Sequence, residues 1–174
     1  MQREQRLIND NIELLKQGLD LIDSVTDEAY SQGIERISHS GVGGHFRHCL
    51  DFYQSFLTGM DAGRIDYDKR VRDESVEKNR AAACARIEKT IKVLQSLSMS
   101  CFPARILVNL EGDTESDGNL GWSWSSARRE LQSLLSHTIH HYALIAMILR
   151  LQGYEISSDF GVAPSTLQQW RKSS

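Results

Sequence analysis

Proline is nearly absent from this chain, and that absence constrains its fold more than any other feature. Only two of the 174 residues are proline, Pro103 and Pro164, against a usual share of about 5%. A proline inside a helix removes a hydrogen bond and clashes with the preceding turn, at about 3 kcal/mol. Residues 1–102 therefore contain nothing that must break a helix. The apolar residues use that freedom. Leu7, Ile8, Ile12, Leu15, Leu19 and Ile22 recur at steps of three and four, which predicts a first amphipathic helix over 4–24. Phe46, Leu50, Phe52, Tyr53, Phe56, Leu57 and Met60 predict a second over 43–60. A third fits 74–97, with the helix-favouring run Ala81 to Ala85 at its centre.

Between and beyond these segments the pattern changes. Residues 25–42, with Ser31, Gly33, Ser38, Ser40 and Gly41, read as a connection, and Gly63 to Asp68 as a polar loop. Phe102 to Leu110 has the alternating, β-branched character of a strand. Glu111 to Asn119 is turn chemistry, and Leu120 to Trp124 would be the return strand of a hairpin. Ser125 or Ser126 can cap a fourth helix, with Glu130 in its first turn and Gly153 as a left-handed stop. The tail from 154 to 174, including Pro164, reads as extended, ending in a short turn. The expected fold is all-α: one domain over residues 1–174, a four-helix bundle with a short β-hairpin before the last helix.

Charge and cysteine usage narrow the function classes. Twenty basic and 23 acidic residues leave a net charge of −3, so there is no basic field for nucleic acid. No run approaches the 18 or so apolar residues that a membrane span needs, and no secretory signal is visible at the N-terminus. Three cysteines, Cys49, Cys84 and Cys101, form no disulfide framework. They suit a reducing cytoplasm, with Cys49 and Cys84 read as small core residues.

Chemistry is concentrated in the histidines. All six fall in two clusters: His39, His45 and His48, then His137, His140 and His141. On a helical wheel with His137 at zero, His141 falls near ~40°, Leu134 near ~60° and Ile148 near ~20°. His137 and His141 thus share the apolar stripe one turn apart, while His140, near ~300°, lies on the flank. Two imidazoles on one core face each need a partner, or each costs about 1–3 kcal/mol. A metal ion binds both as neutral rings. The second helix offers a third ligand. Periodicity slightly favours His45 over His48, and His39 reads as a solvated loop residue. The spacing lacks the glutamate of a metalloprotease H-E-x-x-H and the Glu-x-x-His of di-iron bundles, and no phosphate loop or nucleophile elbow is present.

The segments Gly43-Gly44-His45-Phe46-Arg47-His48-Cys49-Leu50-Asp51 and His137-Thr138-Ile139-His140-His141 resemble the DinB/YfiT-like superfamily of metal-binding four-helix bundles. In that family one histidine near the start of the second helix precedes an apolar pair and an acidic residue. That pattern matches His48, and the later H-x-x-x-H matches His137 and His141. The resemblance implies that His48, His137 and His141 bind a divalent ion, commonly zinc or nickel, with His45 in reserve. It also implies a metal-dependent hydrolase or small-thiol S-transferase acting on a small molecule, such as a low-molecular-weight thiol. A non-catalytic, stress-related binding protein is the alternative. Three imidazoles leave the ion open to water, whose pKa it would lower, or to a thiolate. Asp51, one turn beyond His48, is the candidate acid/base or supporting group, or else a carboxylate paired with Arg47. The run Asp68 to Glu74 could line the mouth of the site or form a solvated face. Trp122 and Trp124 could wall a pocket or pack on the bundle. Bundles of this size often self-associate, so a homodimer is the expected assembly.

Overall fold

The computed structural model describes residues 2–33, 40–98, 102–109 and 121–173. Its frame is four long helices: α1 (Gln2–Ser24), α3 (Val42–Met60), α5 (Arg80–Ser96) and α6 (Ala127–Leu151). Each packs against two others, α1 and α3 both meeting α5 and α6. The apolar stripes meet along the axis. Ile8, Leu15 and Ile22 of α1, Leu50 and Phe56 of α3, Ile87 and Leu94 of α5, and Leu131, Ile145 and Leu149 of α6 are all buried there. Cys49 is buried beside them, and Cys84 packs on the core from its edge. Both are free thiols.

A buried polar chain ties three of these helices together. Asn11 of α1 donates through Nδ2 to the carbonyl oxygens of Leu7 (2.8 Å) and Leu131 (3.4 Å). Its Oδ1 accepts from Tyr53 Oη of α3 at 2.7 Å. Thr138 of α6, fully enclosed, donates to the Leu134 carbonyl at 2.8 Å. Satisfied buried groups of this kind fix how helices sit against one another, because a shift would leave them without partners.

The structure departs from the sequence expectation in four places. The connection after α1 holds a short helix, α2 (Asp27–Ser31), capped by Thr26, whose side chain accepts from Ala29 N. The expected helix 74–97 is broken at Asn79, which adopts an extended backbone (φ −133°, ψ 115°) between α4 (Glu74–Lys78) and α5. Asn79 caps α5 by accepting from Ala82 N, the behaviour its short amide favours over continuing a helix. The polar loop contains a strand, β1 (Arg64–Asp66), paired in parallel with β2 (Ile106–Asn109). β2 in turn pairs antiparallel with β3 (Trp122–Ser125), so the expected hairpin becomes the edge of a three-stranded sheet ordered β1-β2-β3. Finally, the tail is not extended: Pro164 opens the helix α7 (Pro164–Ser173), which packs on α1. Proline is well placed at a first helical position, where its missing N–H costs nothing.

Other expectations hold. Ser126 caps α6, accepting from Arg129 N, and Gly153 ends it at φ +87°. His39, Cys101 and the turn 111–119 lie outside the described residues. Trp122 and Trp124 neither wall the histidine site nor bury themselves in the bundle. Trp122 lies beneath the Arg64 guanidinium (3.8 Å) and Trp124, 60% exposed, beneath that of Arg105 (4.2 Å).

The first turn of α3 approaches α4 so closely that only glycine fits. A Cβ on Gly43 would overlap the Glu77 carbonyl oxygen and press within 2.6 Å of the Tyr30 ring. Gly43→Ala is therefore expected to lower stability by about 1–3 kcal/mol, as overpacking does, read as a lower midpoint in thermal denaturation. An unchanged midpoint would show that the α3–α4 contact yields freely.

Candidate metal centre

α3 and α6 bring the histidines together. His45 and His48 stand on the first two turns of α3, and His137 and His141 on successive turns of α6. All four rings are half-buried, whereas His140, on the flank of α6, is exposed. Nε2 of His137 lies 3.2 Å from Nε2 of His48 and 3.0 Å from Nε2 of His141. Ligand nitrogens of His48, His137 and His141 all fall within 4.8 Å of one another. These are the residues singled out above, with His48 rather than His45 as the contribution from α3.

The three nitrogens make poor hydrogen-bonding company. A neutral imidazole carries one proton and one in-plane lone pair. His137 Nε2 can donate to one neighbour but not to both. A cation removes the conflict by accepting all three lone pairs. The spacing suits one: nitrogens about 2.0–2.1 Å from a tetrahedral zinc stand about 3.3 Å apart. The rings are also held neutral, as ligation requires. Burial, then the nearby His137 and Arg70, lower the pKa of His48 to about 4. Burial and the surrounding histidines lower that of His141 to about 3. His45 and His137 are shifted down as well, again chiefly by burial.

His45 takes a different place. Its Nδ1 lies 2.9 Å from Nδ1 of His141. If His141 presents the Nε2 lone pair toward the cluster, its proton sits on Nδ1 and is donated to His45. His45 then carries its own proton on Nε2, a buried atom with no partner among the described residues. Periodicity slightly favours His45, but the geometry places His48 with His137 and His141: His48 faces the cluster, and His45 holds a member of it from behind.

A cavity of about 470 Å³ opens beside the cluster, with His48 and His137 in its wall. Phe52, whose ring centroid lies 4.5 Å from that of His137, and Leu134 form its apolar side. Tyr67, stacked on Phe52 at 5.0 Å, Arg70 and Glu130 supply its polar groups. Glu130 is buried and accepts from Tyr67 Oη at 3.1 Å and from Ser125 Oγ. Sequence reasoning missed Tyr67 and Glu130 as site residues. Glu130 was detectable, since seven residues before His137 is two helical turns and so nearly the same face. Tyr67 was not, because its placement depends on the β1–β2 pairing. The run 68–74 divides: Asp68 and Arg70 reach the cavity wall, while Lys69 and Val71 face solvent.

Asp51 stands elsewhere. It is buried and accepts from Arg47 Nη1 at 3.2 Å, while Arg47 Nε donates to Glu77 of α4 at 2.8 Å. Burial raises its pKa and Arg47 opposes the rise.

With this geometry in view, the chain can be set beside known proteins. Its structure is similar to the crystal structure of the DinB-like protein YjoA from Bacillus subtilis, with a TM-score of 0.64 over 87% of this chain and 94% of that one, at 16% identity. The chain has the DinB/YfiT-like fold. In sequence, 108 residues are 38% identical to FK506-binding protein 5 of Rhizopus delemar, a stretch covering 62% of this chain and only 28% of that protein. No protein-family model matches. No helix among the described residues is long and apolar enough to cross a membrane.

The depressed pKa values carry a sign. Above pH 6.5 the rings are neutral folded and unfolded, and the full stability is present. As pH falls below 6.5 the unfolded chain takes up protons that folded His48 and His141 resist until about 4 and about 3, so stability is lost. Chelator-treated protein is expected to lose thermal stability from pH 6.5 toward 4, and His141→Gln to flatten that slope. An equally steep slope in the variant would contradict this assignment.

Proposed function

We propose that this chain is a divalent-metal protein in which His48, His137 and His141 hold the ion, with zinc or nickel as the best-suited metals. In this reading it acts on a small molecule bound in the adjoining cavity, as a metal-dependent hydrolase or small-thiol S-transferase. The observation that carries the proposal is the meeting of three neutral imidazole nitrogens, at 3.0 and 3.2 Å, at the wall of a 470 Å³ cavity. A sealed structural site uses four protein ligands, and a site with three leaves a position for water or substrate. When bound, such an ion supplies Lewis acidity at that position.

The chain's own residues divide the remaining work. His45 fixes the tautomer and ring orientation of His141, a supporting role that commonly changes metal affinity 10–100-fold. Phe52 and Leu134 exclude water from one side of the cavity. Glu130, kept in place by Tyr67 and Ser125, can accept a further hydrogen bond from a ligand bound in the cavity. Asp51 is assigned no chemical step, because its contacts lie with Arg47 rather than with the cluster.

Elemental analysis of purified protein tests the metal. Wild type is expected to carry the ion, and His48→Ala, His137→Ala and His141→Ala to lose it, while His45→Ala retains it with affinity about 10–100-fold weaker. Added metal should raise the thermal midpoint of wild type, as any ligand of the folded state does. Full occupancy in all three alanine variants would end the proposal. Turnover of ester, amide or small-thiol substrates, abolished by the same substitutions, would establish the enzymatic part.

A further inference from the structure

We propose that Arg70 is the anchor for a carboxylate group on the ligand of this cavity, so that the protein takes small carboxylate-bearing molecules with an apolar body. This rests on the reading of the cavity as the substrate site and names the class of substrate it would admit.

The loop that carries Arg70 is fixed rather than trailing. Tyr67 N donates to the Asn109 carbonyl at 2.9 Å, extending the β1–β2 ladder by one residue. Asp66 Oδ1 then accepts from the backbone N–H groups of Asp68 and Lys69, both at 3.2 Å, and from Asn109 Nδ2 at 3.1 Å. Within this turn Arg70 Nη1 donates to the Tyr67 carbonyl. Its guanidinium lies 4.5 Å from the centroid of Phe52, the ring that also touches His48 and His137. A guanidinium has five N–H donors in a rigid fork. One is committed to Tyr67, and among the described residues no carboxylate forms an ion pair with Arg70. Glu130 is occupied by Tyr67 and Ser125, and Asp68 is an exposed residue.

The arrangement has a direction. Cationic charge gathers where the Arg70 guanidinium lies over Phe52, the ring packed against both His48 and His137. Three imidazoles bring no negative charge to offset a dication. A carboxylate is therefore drawn to this end, where a guanidinium fork can bind it with two parallel hydrogen bonds. Phe52 and Leu134 then face the apolar body. A volume of 470 Å³ suits a small organic molecule.

Isothermal titration calorimetry with 3-phenylpropionate and its primary amide tests this, on metal-loaded and chelator-treated protein. The acid is expected to bind at least tenfold more tightly than the amide in both forms, and Arg70→Gln to remove that preference while leaving metal content unchanged. Arg70→Lys, which keeps the charge and loses the fork, should recover part of it. Equal affinity for acid and amide, no measurable binding of the acid, or an unaltered preference in Arg70→Gln would overturn the proposal. Failure of the metal reading looks different: wild type would then carry no ion, yet an Arg70-dependent preference would persist in the untreated protein.

Discussion

A neutral imidazole packed against other imidazoles must find a use for its lone pair, and much of this structure follows from that constraint. Solvent cannot fully supply a partner, because each of the four rings is half-buried between α3 and α6. Protonation is disfavoured as well, because burial and neighbouring histidines lower the pKa of all four rings, those of His48 and His141 to about 4 and about 3. A shared cation would use all three lone pairs, and the 3.0 and 3.2 Å nitrogen separations suit one. The same constraint divides the labour between His45 and His48. Only one ring from α3 faces the other two Nε2 atoms, and the second stabilises His141 through its remaining nitrogen.

That arrangement needs helices that do not slide. Side chains one turn apart on α6 meet one side chain from α3, so a small axial displacement would separate the nitrogens. The chain Asn11–Tyr53 with the Leu131 carbonyl links α1, α3 and α6 on the bundle axis. The absence of a Cβ at Gly43 lets α3 begin against α4. The small sheet extends the site: by pairing with β2, β1 places Tyr67 on Phe52 and starts the turn that presents Arg70. Bundle and sheet thus furnish different parts, the ring nitrogens from helices and the cavity's polar wall from the loop after β1.

The long helices were legible because an apolar stripe repeating every 3.6 residues leaves a strong trace over 17 to 25 residues. The inward pair His137 and His141 was legible for the same reason. The misreadings came from short elements. Asn79 ends one helix and caps the next, but within a helix-favouring run a single asparagine is only a weak local signal. β1 has three residues and forms through a partner more than forty positions away, which no local pattern records. Pro164 suits a first helical position, but the tail that contains it reads in sequence as extended. In the site, choosing between His45 and His48 lay below the precision of a wheel, since both face the core and only the packing of α6 tells them apart. Arg70 sits in a charge run whose members look alike in sequence, although one covers Phe52 and another faces solvent.

X-ray absorption spectroscopy on metal-loaded protein tests the central claim most directly. Scattering from three imidazole nitrogens is expected at about 2.0–2.1 Å, with one or more light-atom ligands completing the shell, and loss of one imidazole contribution in His48→Ala. A shell of oxygen ligands without imidazole, or one unchanged in His48→Ala, would contradict it.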